Sequence, residues 1–315
     1  MTPDYPEIYF PHYRSEACLF SPHTRTVENG WVCGRHVHHT MLEILLVVEG
    51  TLTTILGCNE FSQHVGDIII VSPMMVHDFQ VRLSERVSFF TMHIHIEDTE
   101  ILHLIGSNNH GFYPSDHPLN QQIKSSVERM IDTLFHRGWA KMSLMREVYT
   151  ILDEMQQYFS ITHDIGPLSF DAELSNQVAR EIQALVLRNS EEAVAGVTTD
   201  KDANSDWLEE ISRKLGVSRR HCHRLFRQAF GIPPREYLMV LKQQEAMQML
   251  VTSSDSIERI AHKIGYENVQ SFSRQFTAWA GCTPSTFRKN NLNERHHLVP
   301  INLQEVGALN EYKQF

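Results

Sequence analysis

Two histidines and a glutamate stand just before an apolar run near the start of the chain, in "GRHVHHTMLEILLVVEG". His36 and His38 are separated by one residue, and Glu43 follows them. Alternate residues of an extended strand point to the same side, so both imidazoles should face one way. Neutral imidazoles and a carboxylate bind divalent ions such as iron, manganese, nickel or zinc, and they can also hydrogen-bond a small polar ligand. The spacing therefore predicts a ligand site or a metal site.

A wider pattern surrounds these three residues. Gly30, His36, His38, Glu43 and Gly50 follow the spacing G-x5-H-x-H-x4-E-x6-G, and "GDIIIVSPMMVH" adds Pro73 and His77. The pattern resembles the first cupin motif and, more loosely, the second, which here lacks its internal glycine. The resemblance implies a barrel that brings together His36, His38, Glu43 and His77, the four side chains that hold one divalent ion in metallo-cupins. Packing near the mouth of the barrel is the remaining interpretation.

Short strands that alternate with turn residues account for the first part of the chain. "EILLVVEG", "TLTTILG", "GDIIIVSP" and "SFFTMHIHI" have this character. Strands of this length at near-regular spacing predict an antiparallel sandwich or barrel. His93 and His95 share one strand face in the last of them, and we expect an exposed pair or a pair at the rim of a pocket.

A helical hairpin should follow the barrel. Apolar residues recur with helical spacing over 123–134 and over 144–159, and "HRGWAK" separates the two runs. Stripes this broad must be buried, against the sheet or against a second copy of the hairpin. Because they exceed what one hairpin can bury, we expect a homodimer.

The charge of the chain is unevenly distributed. The whole chain carries a net charge of −10, but residues 205–290 have 13 Lys and Arg against 8 Asp and Glu, which is +5. The remainder therefore has 15 against 30, which is −15. A basic C-terminal third in an acidic protein is typical of a separate region that contacts an anionic partner such as nucleic acid.

The basic third contains one helical signal twice. "WLEEISRKLGVSRRHCHRLFRQAFG" predicts a helix, a turn at Gly216, an N-cap at Ser218 and a second helix that ends before Gly231. "SIERIAHKIGYENVQSFSRQFTAWAG" repeats this arrangement around Gly265. One helical hairpin is weak evidence for a helix-turn-helix, whereas two in tandem are much stronger evidence.

The second helix of each unit separates apolar from polar residues. The predicted buried residues are Cys222, Leu225, Phe226, Ala229 and Phe230 in the first unit and Phe272, Phe276 and Trp279 in the second. The predicted outward residues are Arg220, His223, Arg224 and Arg227 in the first unit and Gln270, Ser271, Arg274 and Gln275 in the second. A helix with one packing face and one face of hydrogen-bond donors fits a DNA major groove, although a solvated basic face is the commoner role of surface charge.

Residues 206–289 resemble the AraC-type bacterial transcription regulators. The resemblance rests on "GIPPREYL", "EAMQML", "SIERIAHKIGYEN", "SFSRQF" and "GCTPSTFRK". It implies that the first base-reading helix carries Arg220, His223, Arg224 and Arg227, and that the second carries Val269, Gln270, Ser271 and Arg274. Regulators of this type commonly have a cupin-like barrel that binds a small effector, usually without a metal ion.

The sequence therefore predicts an α+β multidomain protein. We expect an N-terminal cupin-like β-barrel over 1–115, a helical hairpin for dimerisation over 116–160, a linker over 161–171, an all-α domain with twin helix-turn-helix units over 172–290, and a tail over 291–315. Residues 174–289 should have a core of their own and bind DNA alone. A rigid helix over 235–250 should set the two reading helices on neighbouring major-groove segments.

The function predicted is a DNA-binding transcription regulator without enzymatic activity. Its barrel should bind a small-molecule effector through His36, His38, Glu43 and His77, with no cofactor, and a divalent metal ion at these residues is the open alternative. The partners expected are double-stranded promoter DNA, a second copy of the chain and, as a further candidate, RNA polymerase. The N-terminus lacks the build of a secretory signal and no apolar run is long enough to span a membrane, so a cytoplasmic location is expected. The competing hypothesis is a cupin oxygenase or isomerase fused to a DNA-targeting module.

Overall fold

The computed structural model describes residues 16–136, 140–162, 170–194 and 206–291. The strands are β1 (Ala17–Glu28), β2 (Met41–Glu49), β3 (Leu52–Leu56), β4 (Asn59–Gln63), β5 (Ile68–Val71), β6 (His77–Gln80), β7 (Arg86–Ile96) and β8 (Phe112–Tyr113). The helices are α1 (Thr99–Asn108), α2 (Pro118–His136), α3 (Lys141–Thr162), α4 (Phe170–Val194), α5 (Trp207–Lys214), α6 (Arg219–Phe230), α7 (Pro234–Thr252), α8 (Ile257–Lys263), α9 (Val269–Ala280) and α10 (Pro284–Asn291). None of the helices in these ranges is both long and apolar enough to cross a lipid bilayer.

Two antiparallel sheets form the N-terminal part. The larger has the strand order β1-β7-β2-β5-β8, and the smaller has the order β4-β3-β6. Apolar residues of both sheets, such as Leu45, Leu52 and Phe79, pack between them as one core. The predicted β-rich N-terminal architecture is confirmed, and the structure adds β1, β4, β6, β8 and α1 to the elements expected from the sequence.

The two faces of β2 serve different purposes. Leu42 and Ile44 point to the core beneath the helices, whereas Leu45 lies in the core between the sheets. Because strand residues alternate in direction, Glu43 shares the inner face with Leu45. The strand is therefore buried on both sides from Met41 to Val47, and the carboxylate of Glu43 points into the barrel.

The apolar stripes of α2 and α3 pack against the outer face of the larger sheet. Ile123, Met130, Ile151 and Phe159 are all buried in one core with residues of β2 and β7. This corrects the argument that the stripes exceed what one copy can bury, because the sheet supplies the missing partner surface. The stripes themselves therefore give no support to a dimer.

The described residues of the C-terminal part form the helices α4 to α10. One core joins α4, α5, α6 and the start of α7, and a second joins the end of α7 with α8, α9 and Phe287 of α10. Tyr237 and Leu241 of α7 lie in the first core, and Ala246 and Leu250 lie in the second. The helix α7 therefore connects two helix-turn-helix units, as the sequence predicted.

The barrel and the first helix-turn-helix unit share a core. Val37 and Val76 of the barrel pack in the same cluster as Phe226 and Tyr237. The turn between β3 and β4 also meets the end of α6 so closely that a Cβ atom at Gly57 would lie 2.8 Å from the carbonyl oxygen of Phe230. This corrects the expectation that residues 174–289 have a core wholly of their own.

Several sequence expectations fall outside the described residues. They concern most of the linker at 161–171, part of the break between the hairpin helices and the tail from residue 292.

Candidate functional site

The first candidate surface is the outward face of α6. Ser218 caps the helix by accepting a hydrogen bond from the backbone N–H of His221, and Gly231 ends it in a left-handed conformation. The residues predicted to be outward, Arg220, His223, Arg224 and Arg227, are all exposed, and they line a shallow depression on the helix. Ala229 was predicted to be buried, but it is exposed as well. The face therefore offers several hydrogen-bond donors and positive charges to an anionic partner.

The second candidate surface is the corresponding face of α9. Asn268 caps this helix through the backbone N–H of Ser271, and Gly281 ends it. Of the predicted outward residues, Gln270, Ser271 and Arg274 are exposed, whereas Gln275 is half-buried. Val269, which the family resemblance adds to the base-reading residues, is half-buried at the first turn. Opposite this face, Phe272 and Phe276 are buried in the second core. The structure thus places all eight predicted base-reading residues on two helices of the same design.

The third candidate site lies inside the barrel. The histidines His36 and His77 form an isolated antiparallel bridge, with both backbone N–H···O distances at 3.0 Å. Glu43 enters from β2, and His38 lies on the same short segment as His36. One donor atom from each of these four residues lies within 4.8 Å of all the others. The structure therefore brings together the four residues that the sequence singled out.

One carboxylate oxygen is the centre of this site. The Oε2 atom of Glu43 lies 2.8 Å from Nε2 of His77, 3.2 Å from Nε2 of His38 and 3.5 Å from Nε2 of His93. The other oxygen, Oε1, accepts a hydrogen bond from the hydroxyl of Thr91 at 2.9 Å. Glu43 is 3% exposed, so water contributes little to stabilising its negative charge. The three imidazoles and the Thr91 hydroxyl provide almost all of that stabilisation.

His93 corrects an expectation from the sequence. An exposed or rim pair was predicted, but His93 is 6% exposed and faces Glu43 across the β2–β7 pairing. His95, two residues further on, is only half-buried and pairs with Met41 instead. The spacing of β7 alone gives no sign of this difference, which arises from the register between two strands distant in sequence.

The electrostatic state of the site follows from burial. Burial lowers the pKa of His36 well below its usual range, an effect that His77 and His38 reinforce, and it lowers the pKa of His38 to about 3. Burial alone would raise the pKa of Glu43, but His93, His38 and His77 together hold that pKa well below its usual range. The site thus contains an ionised carboxylate among imidazoles, of which His36 and His38 are neutral near pH 7.

The donors fit a divalent metal ion. His36 donates from Nδ1 to the carbonyl oxygen of Gly34 at 2.8 Å, which leaves the lone pair on its Nε2. The Nδ1 atom of His38 is buried without a hydrogen-bond partner, and its Nε2 atom lies 3.2 Å from Oε2 of Glu43. Metal–nitrogen bonds are about 2.1 Å long, so two opposite ligands stand about 4.2 Å apart. The four donor atoms of this site lie within 4.8 Å of one another, which is close to that separation.

Each half of the fold matches a known domain family. A family described as "Helix-turn-helix domain" matches residues 211–290, and one described as "Cupin domain" matches residues 23–94. The first match covers α6 and α9, and the second covers the histidines and Glu43 of the barrel site.

Similar proteins include two sugar-operon regulators. The lactose operon transcription activator of Staphylococcus xylosus is 26% identical over 145 residues, which are 46% of this chain and 44% of that protein. The raffinose operon transcriptional regulatory protein RafR of Pediococcus pentosaceus is 32% identical over 81 residues, which are 26% of this chain and 29% of that protein. The chain therefore spans less than half the length of these relatives.

One solved structure shares the fold over most of both chains. Apo ToxT from Vibrio cholerae strain SCE256, in a lysine-to-alanine variant, matches with a TM-score of 0.51 and 12% identity, over 86% of this chain and 97% of that one. The likeness concerns the arrangement of a β-rich N-terminal part and a helical C-terminal part. The chain therefore combines a cupin domain with a helix-turn-helix domain that follows it.

Proposed function

We propose that this protein is a sequence-specific DNA-binding transcription regulator whose barrel binds a ligand. The observation that carries the proposal is the pair of capped helices, α6 and α9, each with one buried apolar face and one exposed face of donors. Because α7 connects the two helices, each of them can enter one of two successive major-groove segments, which lie about 10 bp apart along one side of the duplex.

The proposed base contacts come from both faces. In α6 they are Arg220, His223, Arg224 and Arg227, and in α9 they are Val269, Gln270, Ser271 and Arg274. Arginine donates two parallel hydrogen bonds to guanine, which makes Arg224 and Arg274 the best candidates for direct reading. The net charge of +5 over residues 205–290 supports binding to the phosphate backbone in an otherwise acidic chain.

We further propose that His36, His38, Glu43 and His77 line the ligand site of the barrel. Their burial and their convergence on one small volume support this assignment. A ligand that binds there alters DNA binding only if its affinity differs between states of the protein that bind DNA well and poorly. The core shared by the barrel and the first helix-turn-helix unit supports such a difference.

A cupin metalloenzyme fused to a DNA-targeting module is the second candidate. The specific observation in its favour is the set of three histidines and one carboxylate, which is suited to bind a catalytic metal ion. The regulator is the better supported of the two, because both relatives reported above are operon regulators. Turnover of a substrate by purified, metal-loaded protein would favour the enzyme.

A homodimer that acts at promoter DNA in the cytoplasm completes the proposal, with RNA polymerase as a further candidate partner. Support for the dimer comes from large apolar side chains left exposed on the hairpin after its stripes are buried. Phe135, Met142 and Tyr149 are 66%, 78% and 42% exposed. Met142 and Tyr149 are seven residues apart, so they lie on one face of α3.

Selection of binding sites from random DNA tests the proposed function. The full-length protein should enrich a motif with two half-sites about 10 bp apart, and it should bind that motif at least about a thousandfold more tightly than random DNA. Arg180→Ala, which removes an exposed arginine of α4 that pairs with Glu173, is the matched control and should leave the motif unchanged. Equal affinity of a folded protein for selected and random DNA would contradict the proposal.

A further inference from the structure

His221 and Arg224 are in contact on the exposed face of α6. The Nη2 atom of Arg224 lies 3.1 Å from Nδ1 of His221, which comes three residues earlier in the helix. Side chains three positions apart lie on the same side of a helix, so this contact leaves the guanidinium on the outward face. Both residues line the shallow depression that also contains Arg220 and Arg227. His221 thus belongs to this surface, although it is not one of the proposed base-reading residues.

The direction of this hydrogen bond follows from the chemistry of the two groups. A guanidinium carries five N–H donors and no acceptor, so the Nδ1 atom of His221 accepts. The single proton of that ring is then on Nε2. Arg224 uses one N–H group for His221, and the two that a guanine requires remain available. The contact therefore orients Arg224 without removing its capacity to bind a base.

The start of the helix fixes the backbone under His221. Ser218 accepts a hydrogen bond from the backbone N–H of His221 at 3.2 Å, and the neighbouring Cys222 is buried in the first core. The side chain of His221 is half-buried. An imidazole has two rotatable side-chain bonds, so it is a stiffer support than another long side chain. The ring therefore offers a defined position for the guanidinium of Arg224.

The other arginines of α6 are not held in this way. Arg219 forms an ion pair with Asp206 at 2.6 Å, which directs it to a carboxylate and offsets its charge. For Arg220 and Arg227 the structure gives no hydrogen bond or ion pair with any residue that it describes. Arg224 differs from all three, because a neutral ring orients its guanidinium and leaves the positive charge in place for DNA.

The helix α9 carries the matching arginine without this support. Arg274 and Arg224 each occupy the sixth position after the residue that caps their helix. At the third position after the cap, α6 has His221 and α9 has Ser271. Within the part of the chain that the structure describes, no hydrogen bond or ion pair involves the guanidinium of Arg274. The two reading helices therefore differ at a position that decides how firmly the arginine is held.

We propose that His221 is a positioning residue that holds Arg224 in place to read a base, and that the half-site of α6 is therefore recognised more strictly than that of α9. An arginine side chain loses conformational entropy when it binds a base, and this loss is smaller when the guanidinium is already held. A held guanidinium also adapts less well to a base that lacks the paired acceptors of guanine. The inference rests on the proposed function, because positioning of Arg224 matters only if α6 reads bases.

Affinity for single-base variants of the selected motif tests the role of His221 in the full-length chain. At the base whose preference depends on Arg224, His221→Ala should lower that preference about fivefold, while affinity for random DNA stays within about twofold of the wild type. His221→Asn keeps an acceptor close to the place of Nδ1 and should retain most of the preference. His136→Ala, which alters an exposed histidine of α2, is the control and should change neither value.

A double-mutant cycle separates positioning from a direct contact with DNA. In the Arg224→Ala background, His221→Ala should change neither affinity nor preference further, because the partner of the histidine is absent. A histidine that itself binds a phosphate would instead cause the same loss in both backgrounds and on every DNA sequence. That result would overturn the proposal.

Transfer of the contact to α9 tests the proposal by a gain. Ser271→His places an imidazole three residues before Arg274, with the spacing found in α6. The matched comparison is Ser271→Ala, which removes the same hydroxyl without adding a ring. At the base that Arg274 reads, Ser271→His should show about fivefold more preference than Ser271→Ala. Equal preferences in the two variants would overturn the role of a histidine at this position.

The outcomes separate this inference from the proposed function. Specific DNA binding with equal strictness in both half-sites would overturn the role of His221 and leave the regulator standing. An unchanged base preference in folded His221→Ala would do the same. Absence of specific DNA binding by the wild type would contradict the proposed function itself, and this inference with it.

Discussion

Val37 and Gln244, which are 207 residues apart in the sequence, form two hydrogen bonds with each other. These bonds connect the barrel to α7, the helix between the two helix-turn-helix units. Replacing Gln244 with alanine leaves the buried N–H and C=O of Val37 without these partners. We expect the free energy of unfolding to fall by about 2 kcal/mol or more. Chemical denaturation measures this, with Gln243→Ala as the control. A loss no larger than that of the control would show that the contact contributes little to stability.

Two glycines at equivalent helix ends offer a matched comparison. Gly216 and Gly231 both have positive φ, at 70° and 73°, so alanine is strained at either position. A Cβ atom at Gly216 meets nothing within 4 Å, whereas one at Gly231 would lie 2.9 Å from the backbone nitrogen of Cys58. Gly216→Ala should cost about 1 kcal/mol. Gly231→Ala should cost clearly more, because it also pushes α6 away from the β3–β4 turn.

Thermal unfolding of each glycine variant gives the comparison. Equal melting temperatures for the two variants would contradict the close packing of the barrel turn against the end of α6.

Acid should destabilise the barrel from about pH 6.5 downward. Burial lowers the pKa of both His38 and His39 to about 3, so the folded state keeps them neutral while the unfolded state protonates them near pH 6.5. Their contribution to stability is therefore complete above pH 6.5 and is lost as the pH falls toward 3. At pH 5.5 the loss is about 1.4 kcal/mol for each histidine.

Denaturation midpoints between pH 5 and pH 8 check this sign. His39→Gln should reduce the pH dependence, whereas His136→Gln, which alters an exposed histidine of α2, should leave it as in the wild type. Stability that stays constant from pH 7.5 to pH 5.5 would show that these imidazoles are not held neutral.

The proposed homodimer should depend on the exposed apolar face of α3. Light scattering at micromolar concentration should give twice the mass of one chain. Met142→Glu, placed where the side chain is 78% exposed, should shift the protein toward monomer without loss of fold. Glu154→Ala, elsewhere on the same helix, should not. A monomeric wild type, both with and without DNA, would contradict the dimer.

The helix-turn-helix units could be predicted from sequence because their signals are local. Ser218 and Asn268 cap the helices they precede, and Gly231 and Gly281 end them, all within a few residues. The amphipathic period of each helix then determines which residues face outward. The four barrel residues were predicted from their resemblance to the cupin motifs, and they meet because Glu43 of the larger sheet and His77 of the smaller sheet face each other inside the barrel.

The contacts that sequence reasoning missed are those that link distant segments. His93 faces Glu43 only because β7 pairs with β2 in one register, and a shift of one residue would turn it to the opposite face. The packing of Val37 in the core of the first helix-turn-helix unit is likewise a contact between separate domains. The apolar stripe of the hairpin was predicted, but its partner surface depends on the tertiary arrangement.

The account rests on base reading by α6 and α9, and base preference along the selected motif tests it most directly. Arg224→Ala and Arg274→Ala should each weaken binding to the motif by about 1 to 3 kcal/mol. Each should relax the preference in one half-site only, and the two affected positions should lie about one helical turn apart. The same loss for every DNA sequence, or equal affinity of the wild type for the motif and for random DNA, would contradict the account.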